Sequence, residues 1–119
     1  MSQAFRPGDF LVFQLEAGFA LLRIIAVDES ADSLVWHVAA YSDFFPDVHT
    51  AELASATPAL LSVSDPHIAL TNRAFESTQV AKISNVTLTE VETEAYKNWV
   101  KDVPHEVSDR SVRLMLGLR

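Results

Sequence analysis

The chain has 119 residues, of which 49% are hydrophobic and 21% charged, a balance typical of one globular domain over residues 1–119 and not of a disordered segment. Nine basic residues against sixteen acidic ones give a net charge of −7, and because this field repels phosphate backbones, we expect no nucleic-acid partner. The absence of cysteine excludes disulfides, thiolate zinc sites and cysteine nucleophiles.

The first ten residues and the lengths of the apolar runs give an expectation for the localisation of the protein. MSQAFRPGDF lacks the charged-then-apolar pattern of a signal peptide, and no apolar run approaches the length that spans a membrane. We therefore expect a cytoplasmic protein without a membrane partner.

Three consecutive strands are predicted in the first part of the chain, at residues 10–15, 19–27 and 34–41. The first two are joined by a short hairpin in which Gly18 takes the permissive position. In the third strand, alternation places Leu34, Trp36 and Val38 on one face. Sequential strands with short connections favour an antiparallel meander, and hence a small curled sheet or open barrel.

The middle of the chain predicts a short helix followed by further strands. Asp47 can cap a helix over residues 48–56, and Pro58 stops it. The further predicted strands are residues 59–63, 67–75 and 79–84.

A helix is predicted near the C-terminus, where Thr89 and Glu92 have the spacing of a capping box. Val91, Ala95 and Trp99 recur every four residues, so this stripe is expected to pack on the sheet. For residues 109–118 the sequence allows either a helix or a strand. Ser108 and Gly117 are suitable caps for a short helix, whereas the alternation of Val112, Leu114, Leu116 and Leu118 favours a strand. The whole indicates an α+β fold, with a curled, mainly antiparallel sheet of five or six strands and a C-terminal helix packed on it.

Arg23 interrupts an apolar strand. A buried guanidinium needs a partner, because an isolated buried charge is very costly. Asp9, at the base of the neighbouring strand, is the expected partner, and the pair would act as an internal brace rather than as a binding site.

The stretch DPHIALTNRAFE contains the candidate partner-binding residues. If residues 67–75 form one strand, Ile68 and Leu70 face the core. The opposite face then carries a histidine, a hydroxyl, a cation and an aromatic ring, namely His67, Thr71, Arg73 and Phe75. A structural alternative has Asn72 satisfying a backbone group and Arg73 pairing with Glu76 or Asp65.

The motifs of the common catalytic and cofactor sites are missing. The sequence has no G-x-S-x-G turn and no glycine-rich phosphate loop. Its four histidines are scattered without metal-ligand spacing. No catalytic residue, metal site or cofactor is therefore predicted. An enzyme that uses His67 or His37 with a nearby acid is an open alternative.

The opening strands carry one resemblance. GDF at 8–10, Leu15, Gly18 and RI at 23–24 resemble the start of an immunity-protein family of bacterial polymorphic toxin systems. The resemblance covers about the first thirty residues, and it implies a small α+β protein that binds and blocks a toxin domain. We therefore expect a non-catalytic binding protein whose partner is another protein, met through an acidic face. A small-molecule-binding protein and a homodimer-forming structural module are the alternatives.

Overall fold

The computed structural model describes residues 5–29, 33–102 and 106–112. The described strands form one antiparallel sheet in the order β4-β3-β2-β1-β5, and this sheet does not close into a barrel. The strands are β1 (Asp9–Leu15), β2 (Gly18–Glu29), β3 (Leu34–Phe45), β4 (Val63–Thr71) and β5 (Ala81–Asn85), and the helices are α1 (Val48–Ser55), α2 (Asn72–Ser77) and α3 (Glu90–Lys101). The predicted α+β fold with a C-terminal helix on the sheet is confirmed.

The β1–β2 hairpin is held by Gly18, which pairs with Leu15. A Cβ atom at residue 18 would lie 2.6 Å from the carbonyl oxygen of Phe45 in β3. Glycine is therefore needed here because a third strand passes close to the turn.

Two predicted strands were wrong in part. Residues 59–63 do not form a strand, because Pro58–Leu60 make a single 3₁₀ turn and β4 begins only at Val63. The predicted strand 67–75 ends at Thr71. The Thr71 hydroxyl accepts a hydrogen bond from the Ala74 N–H at 3.1 Å, which makes Thr71 the N-cap of α2.

One face of the sheet forms the larger apolar core. Leu34, Trp36 and Val38 all lie on this face, as the alternation predicts. Phe75 of α2 stacks on Trp36 with ring centroids 4.2 Å apart. Helix α2 therefore packs on this side of the sheet.

The opposite face, called here the helical face, is covered by α1 and α3. Ala51 of α1 packs with a smaller apolar cluster that includes Phe10, Leu21 and Tyr41. Asp47 caps α1 as predicted, since its carboxylate accepts the Thr50 N–H at 2.7 Å.

Helix α3 begins with the predicted capping box, but the side chains that it turns towards the sheet differ from the predicted stripe of Val91, Ala95 and Trp99. The Thr89 hydroxyl and the Glu92 carboxylate exchange hydrogen bonds with each other's backbone N–H groups. Val91 is 80% exposed, so the expected Val91 contact is wrong. The sheet is met instead by Glu92, Tyr96 and Trp99, whose side chains reach β2 and β3.

The ambiguous segment 109–118 is described only as far as Val112, which is fully buried in the larger core. The backbone just before it pairs with the edge of the sheet, because Ser108 forms a parallel bridge with Leu70. The remainder of the segment lies outside the described residues.

Candidate functional site

A pocket of about 610 Å³ opens on the helical face between the region that follows α1 and the start of α3. The sheet contributes Ile25, Ala39 and Tyr41. The two walls come from residues 58–66 and 86–92, and they consist of Pro58, Ala59, Leu61, Val63 and Pro66 on one side and Val86, Thr87, Thr89, Val91 and Glu92 on the other. This cavity is called the pocket below.

The lining of the pocket combines apolar walls with a few polar groups. This lining is mostly aliphatic, with a few polar groups supplied by Tyr41, two threonines and Glu92. Small-molecule sites are typically concave cavities of about 300–1,000 Å³ with apolar walls and a few placed polar groups. In both volume and composition the pocket fits this description.

Tyr41 is the most unusual residue of the pocket. The residue is only 4% exposed, and its hydroxyl has no hydrogen-bond partner among the described residues. Burial raises the pKa of Tyr41 to about 12, against an opposing effect of the nearby Arg23 cation. The hydroxyl therefore stays protonated at neutral pH and can donate a hydrogen bond.

Arg23 lies fully buried behind one wall of the pocket and ties that wall to β2. Its Nη2 donates to the carbonyl oxygens of Val86 at 2.8 Å and Thr87 at 3.4 Å, and it lies 3.4 Å from Glu92 Oε2. The guanidinium carbon lies 4.1 Å from the ring centroid of Phe10, a cation–π contact. Burial lowers the pKa of Arg23, while the Glu92 charge opposes that shift.

The expected pairing of Arg23 with Asp9 is wrong. In the β1–β2 register Phe10 faces Arg23, so the adjacent Asp9 points to the other side of the sheet. Asp9 lies instead 3.2 Å from Lys82 Nζ and accepts a hydrogen bond from Asn85 at 2.7 Å. Burial alone would raise the pKa of Asp9, but these partners and the Arg6 N–H hold it below its usual value.

A second cluster, the histidine pair, lies under α3 on the same face. The Nδ1 atom of the fully buried His37 is 2.9 Å from His67 Nε2, and its Nε2 atom is 2.7 Å from Asp28 Oδ2. Because a carboxylate only accepts, His37 Nε2 is the donor to Asp28. The rings of Tyr96 and Trp99 pack on His37 at 4.6 and 4.7 Å between centroids, and the Tyr96 hydroxyl donates to Asp28.

The histidine pair is better suited to fastening α3 than to acid–base chemistry. Burial, followed by the effect of His37, lowers the pKa of His67 to about 4, so His67 is neutral and weakly basic at pH 7. His37 is sealed from solvent. Among the described residues, no three acidic or histidine side chains are arranged to hold a metal ion.

The four predicted partner-binding residues do not share one surface. Phe75 is 1% exposed in the larger core, so it serves packing. Thr71 donates to Asp109 at 2.6 Å, and the exposed Arg73 forms an ion pair with the same carboxylate. His67 belongs to the histidine pair.

These positions differ from the prediction because the alternation of faces ends with β4 at Thr71, whereas Arg73 and Phe75 lie on α2. The structural alternative, in which Asn72 and Arg73 bind neighbouring groups of the protein, holds with different partners. Asn72 accepts from Trp36 Nε1 at 2.9 Å and donates to Glu76 at 2.8 Å. Arg73 pairs with Asp109 in place of Glu76 or Asp65.

Comparison with known proteins finds no relative of the chain. No protein-family model matches the sequence, and no curated protein and no solved structure is significantly similar to the chain. Within the described residues, no helix is both long and apolar enough to cross a lipid bilayer.

Proposed function

We propose that the protein is a non-catalytic binding protein and that the pocket, between the region that follows α1 and the start of α3, is its binding site. The observation that carries this proposal is the combination of an apolar cavity of about 610 Å³ with a largely buried tyrosine that lines it and whose hydroxyl has no hydrogen-bond partner among the described residues. Ligand sites combine apolar walls with a few orienting polar groups in this way. A small, mostly apolar molecule is the occupant that this geometry supports best.

Catalysis by the histidine pair has weaker support. A general base must reach a substrate proton and have a pKa near the working pH. His37 is fully buried, and the pKa of His67 is lowered to about 4. Either feature alone would make the pair a poor base at neutral pH.

Filling the pocket tests this proposal. Phenyl-naphthylamine, a neutral dye that fluoresces in apolar surroundings, is titrated into the wild-type protein and into Ala39→Leu. Ala39 lines the pocket from the sheet, so the larger side chain should weaken dye binding by about tenfold or more, which corresponds to about 1.4 kcal/mol.

The matched control is Ala81→Leu, which adds the same atoms to an exposed residue of β5 that does not line the pocket. This variant should bind the dye as the wild type does, and thermal melting should show that both variants are folded. Equal dye binding by Ala39→Leu and the wild type would refute the pocket as the binding site.

A protein partner, met as the immunity-type proteins meet their toxins in the cytoplasm, is the second candidate. It is favoured by exposed apolar side chains in and next to the pocket, namely Val91 and Val63 of its lining, at 80% and 53% exposure, and the neighbouring Leu60 at 80%. Exposed apolar surface with a polar surround is typical of protein interfaces. The net charge of −7 would favour a basic partner over a second copy of this acidic chain.

The second candidate is tested by capture on immobilised protein with two variants of α3. Val91→Glu places a charge beside the pocket, and Val100→Glu places the same charge at a residue of the same helix that does not line the pocket, 47% exposed. A partner that docks at the pocket is retained by Val100→Glu and lost by Val91→Glu. Retention by both variants would place the contact elsewhere, and a homodimer would be detected by sedimentation of the protein alone.

A further inference from the structure

We infer that the ligand of the pocket is a neutral, largely apolar small molecule with one carbonyl-type hydrogen-bond acceptor, and that this acceptor binds the Tyr41 hydroxyl. The inference rests on the proposed function, because it assumes that the pocket binds a small molecule. Beyond that function, it names the chemical class of ligand that the pocket selects and the protein atom that recognises this ligand.

The acceptor is assigned from the state of the Tyr41 side chain. The Tyr41 residue is only 4% exposed and lines the pocket, and its hydroxyl has no hydrogen-bond partner among the described residues. Among the described residues, the buried side-chain polar atoms without a partner are Arg23 Nε, Arg23 Nη1 and Thr78 Oγ1, so the Tyr41 hydroxyl is reachable from the pocket. A ligand that supplies an acceptor there would engage a donor that no protein group uses. Since its raised pKa keeps this phenol protonated, the hydroxyl offers a donor.

A negatively charged ligand is disfavoured by the wall opposite. Glu92 lines the pocket, whereas Arg23 does not line it. The guanidinium is fully buried behind the wall, where Nη2 faces Glu92 and two backbone carbonyls and where Nε and Nη1 have no hydrogen-bond partner among the described residues, so this cation is out of reach of a ligand carboxylate. Two carboxylates in one apolar cavity repel each other strongly. The protein's net charge of −7 acts in the same direction.

A cationic ligand is disfavoured because the charge of Glu92 is already offset by the buried Arg23 guanidinium. Glu92 Oε1 accepts the Thr89 N–H at 2.9 Å, and Glu92 Oε2 faces Arg23 at 3.4 Å. A ligand cation beside Glu92 would lie close to the Arg23 guanidinium, and like charges that lie close together disfavour each other. What remains for the pocket is a neutral ligand.

The inference is tested with three probes that share a phenyl ring and carbon number but differ in one group. Propiophenone carries a carbonyl, propylbenzene carries no acceptor, and phenylpropanoate carries a carboxylate. Each displaces phenyl-naphthylamine from the wild type and from Tyr41→Phe, which lacks only the hydroxyl. Melting temperatures show whether the variant keeps its fold.

The expected result is a selective loss. Tyr41→Phe should bind propiophenone about fivefold more weakly, which corresponds to one neutral hydrogen bond, and should bind propylbenzene as tightly as the wild type does. On the wild type, propiophenone should bind more tightly than either of the other probes.

Three outcomes would overturn the inference, and they are distinguishable from one another. If Tyr41→Phe weakens propiophenone and propylbenzene equally, the hydroxyl does not select the ligand, although the pocket still binds. If phenylpropanoate binds most tightly, the pocket is an anion site. If none of the probes displaces the dye and Ala39→Leu does not affect dye binding, the proposed function fails and the inference fails with it.

Discussion

The histidine pair predicts how stability depends on pH. The pKa of His67 is about 4 in the folded protein against 6.5 for an ordinary histidine, because protonation would place a charge between the sheet and α3, next to His37. Since the folded-state pKa is the lower one, the stabilising contribution is fully present above pH 6.5 and is lost as pH falls through about 4. Other acid-sensitive groups with lowered pKa values, such as Asp9 and Asp47, act below this window because their ordinary value is 3.8.

The size of the effect follows from the shift. A difference of about 2.5 pH units corresponds to about 3 kcal/mol at 1.36 kcal/mol per unit. His67 is only partly buried, so water screens some of the charge, and we expect a loss of about 1–2 kcal/mol between pH 6.5 and 4. Replacing His67 with glutamine, which cannot titrate, should remove most of this loss.

Urea unfolding followed by tryptophan fluorescence at a series of pH values measures the effect. The matched control is His49→Gln, because His49 is exposed on α1, away from the pair. The wild type and His49→Gln should lose stability together, while His67→Gln stays nearly flat over the same range. A wild type whose unfolding free energy does not change between pH 7 and 4.5, or a His67→Gln variant that keeps the full pH dependence, would show that His67 is not the titrating group.

Three further predictions concern the packing that shapes the site. Arg23→Met removes the donor to Glu92 and to two backbone carbonyls, and it should lower the free energy of unfolding in urea by about 2–4 kcal/mol. The control Arg73→Met, at an 82% exposed side chain, should change it by less than about 0.5 kcal/mol. Equal effects of the two variants would contradict a bracing role for Arg23. Trp99→Ala should cost about 2 kcal/mol because the ring is partly buried on the histidine pair, and Val100→Ala is its exposed control on the same helix; a stable Trp99→Ala would show that α3 does not dock there. Gly18→Ala places a Cβ atom 2.6 Å from a β3 carbonyl and should lower the melting temperature by several degrees, about 4–8 °C per kcal/mol; an unchanged melting temperature would show that the strands can separate there without cost.

The elements with strong local signals could be predicted from the sequence. Apolar runs broken by short turns locate the first three strands, and the Thr89–Glu92 spacing locates the start of α3. These signals depend on a few neighbouring residues. The α+β class follows from them, because sequential short-linked strands pair as a meander.

The orientation of side chains could not be predicted where it depends on tertiary contacts. Alternation along 67–75 fails at Thr71, whose hydroxyl caps a helix where the pattern also allows a longer strand. The face of α3 is set by Glu92 reaching Arg23 and not by the apolar spacing that includes Val91. The apolar run around Arg23 indicates a buried cation, but the partner of that cation depends on the register of the hairpin.

The pocket could not be predicted at all, since its lining comes from β2, β3, the turn after α1, the start of β4 and the segment that leads into α3. Tyr41 has no sequence signal that separates it from an ordinary core tyrosine. The histidine pair could have been found from the shared face of His37 and His67 on neighbouring strands, once the β3–β4 register is known.

The most direct test of the binding site is to follow the methyl resonances of the protein by NMR while propiophenone is added. Binding in the pocket should give progressive shifts in the pocket residues Ile25, Ala39 and Val91, and no shifts in the larger core at Leu11 or Ile24. Shifts that spare the pocket and cluster instead around the histidine pair, or resonances that do not move at saturating ligand, would contradict it.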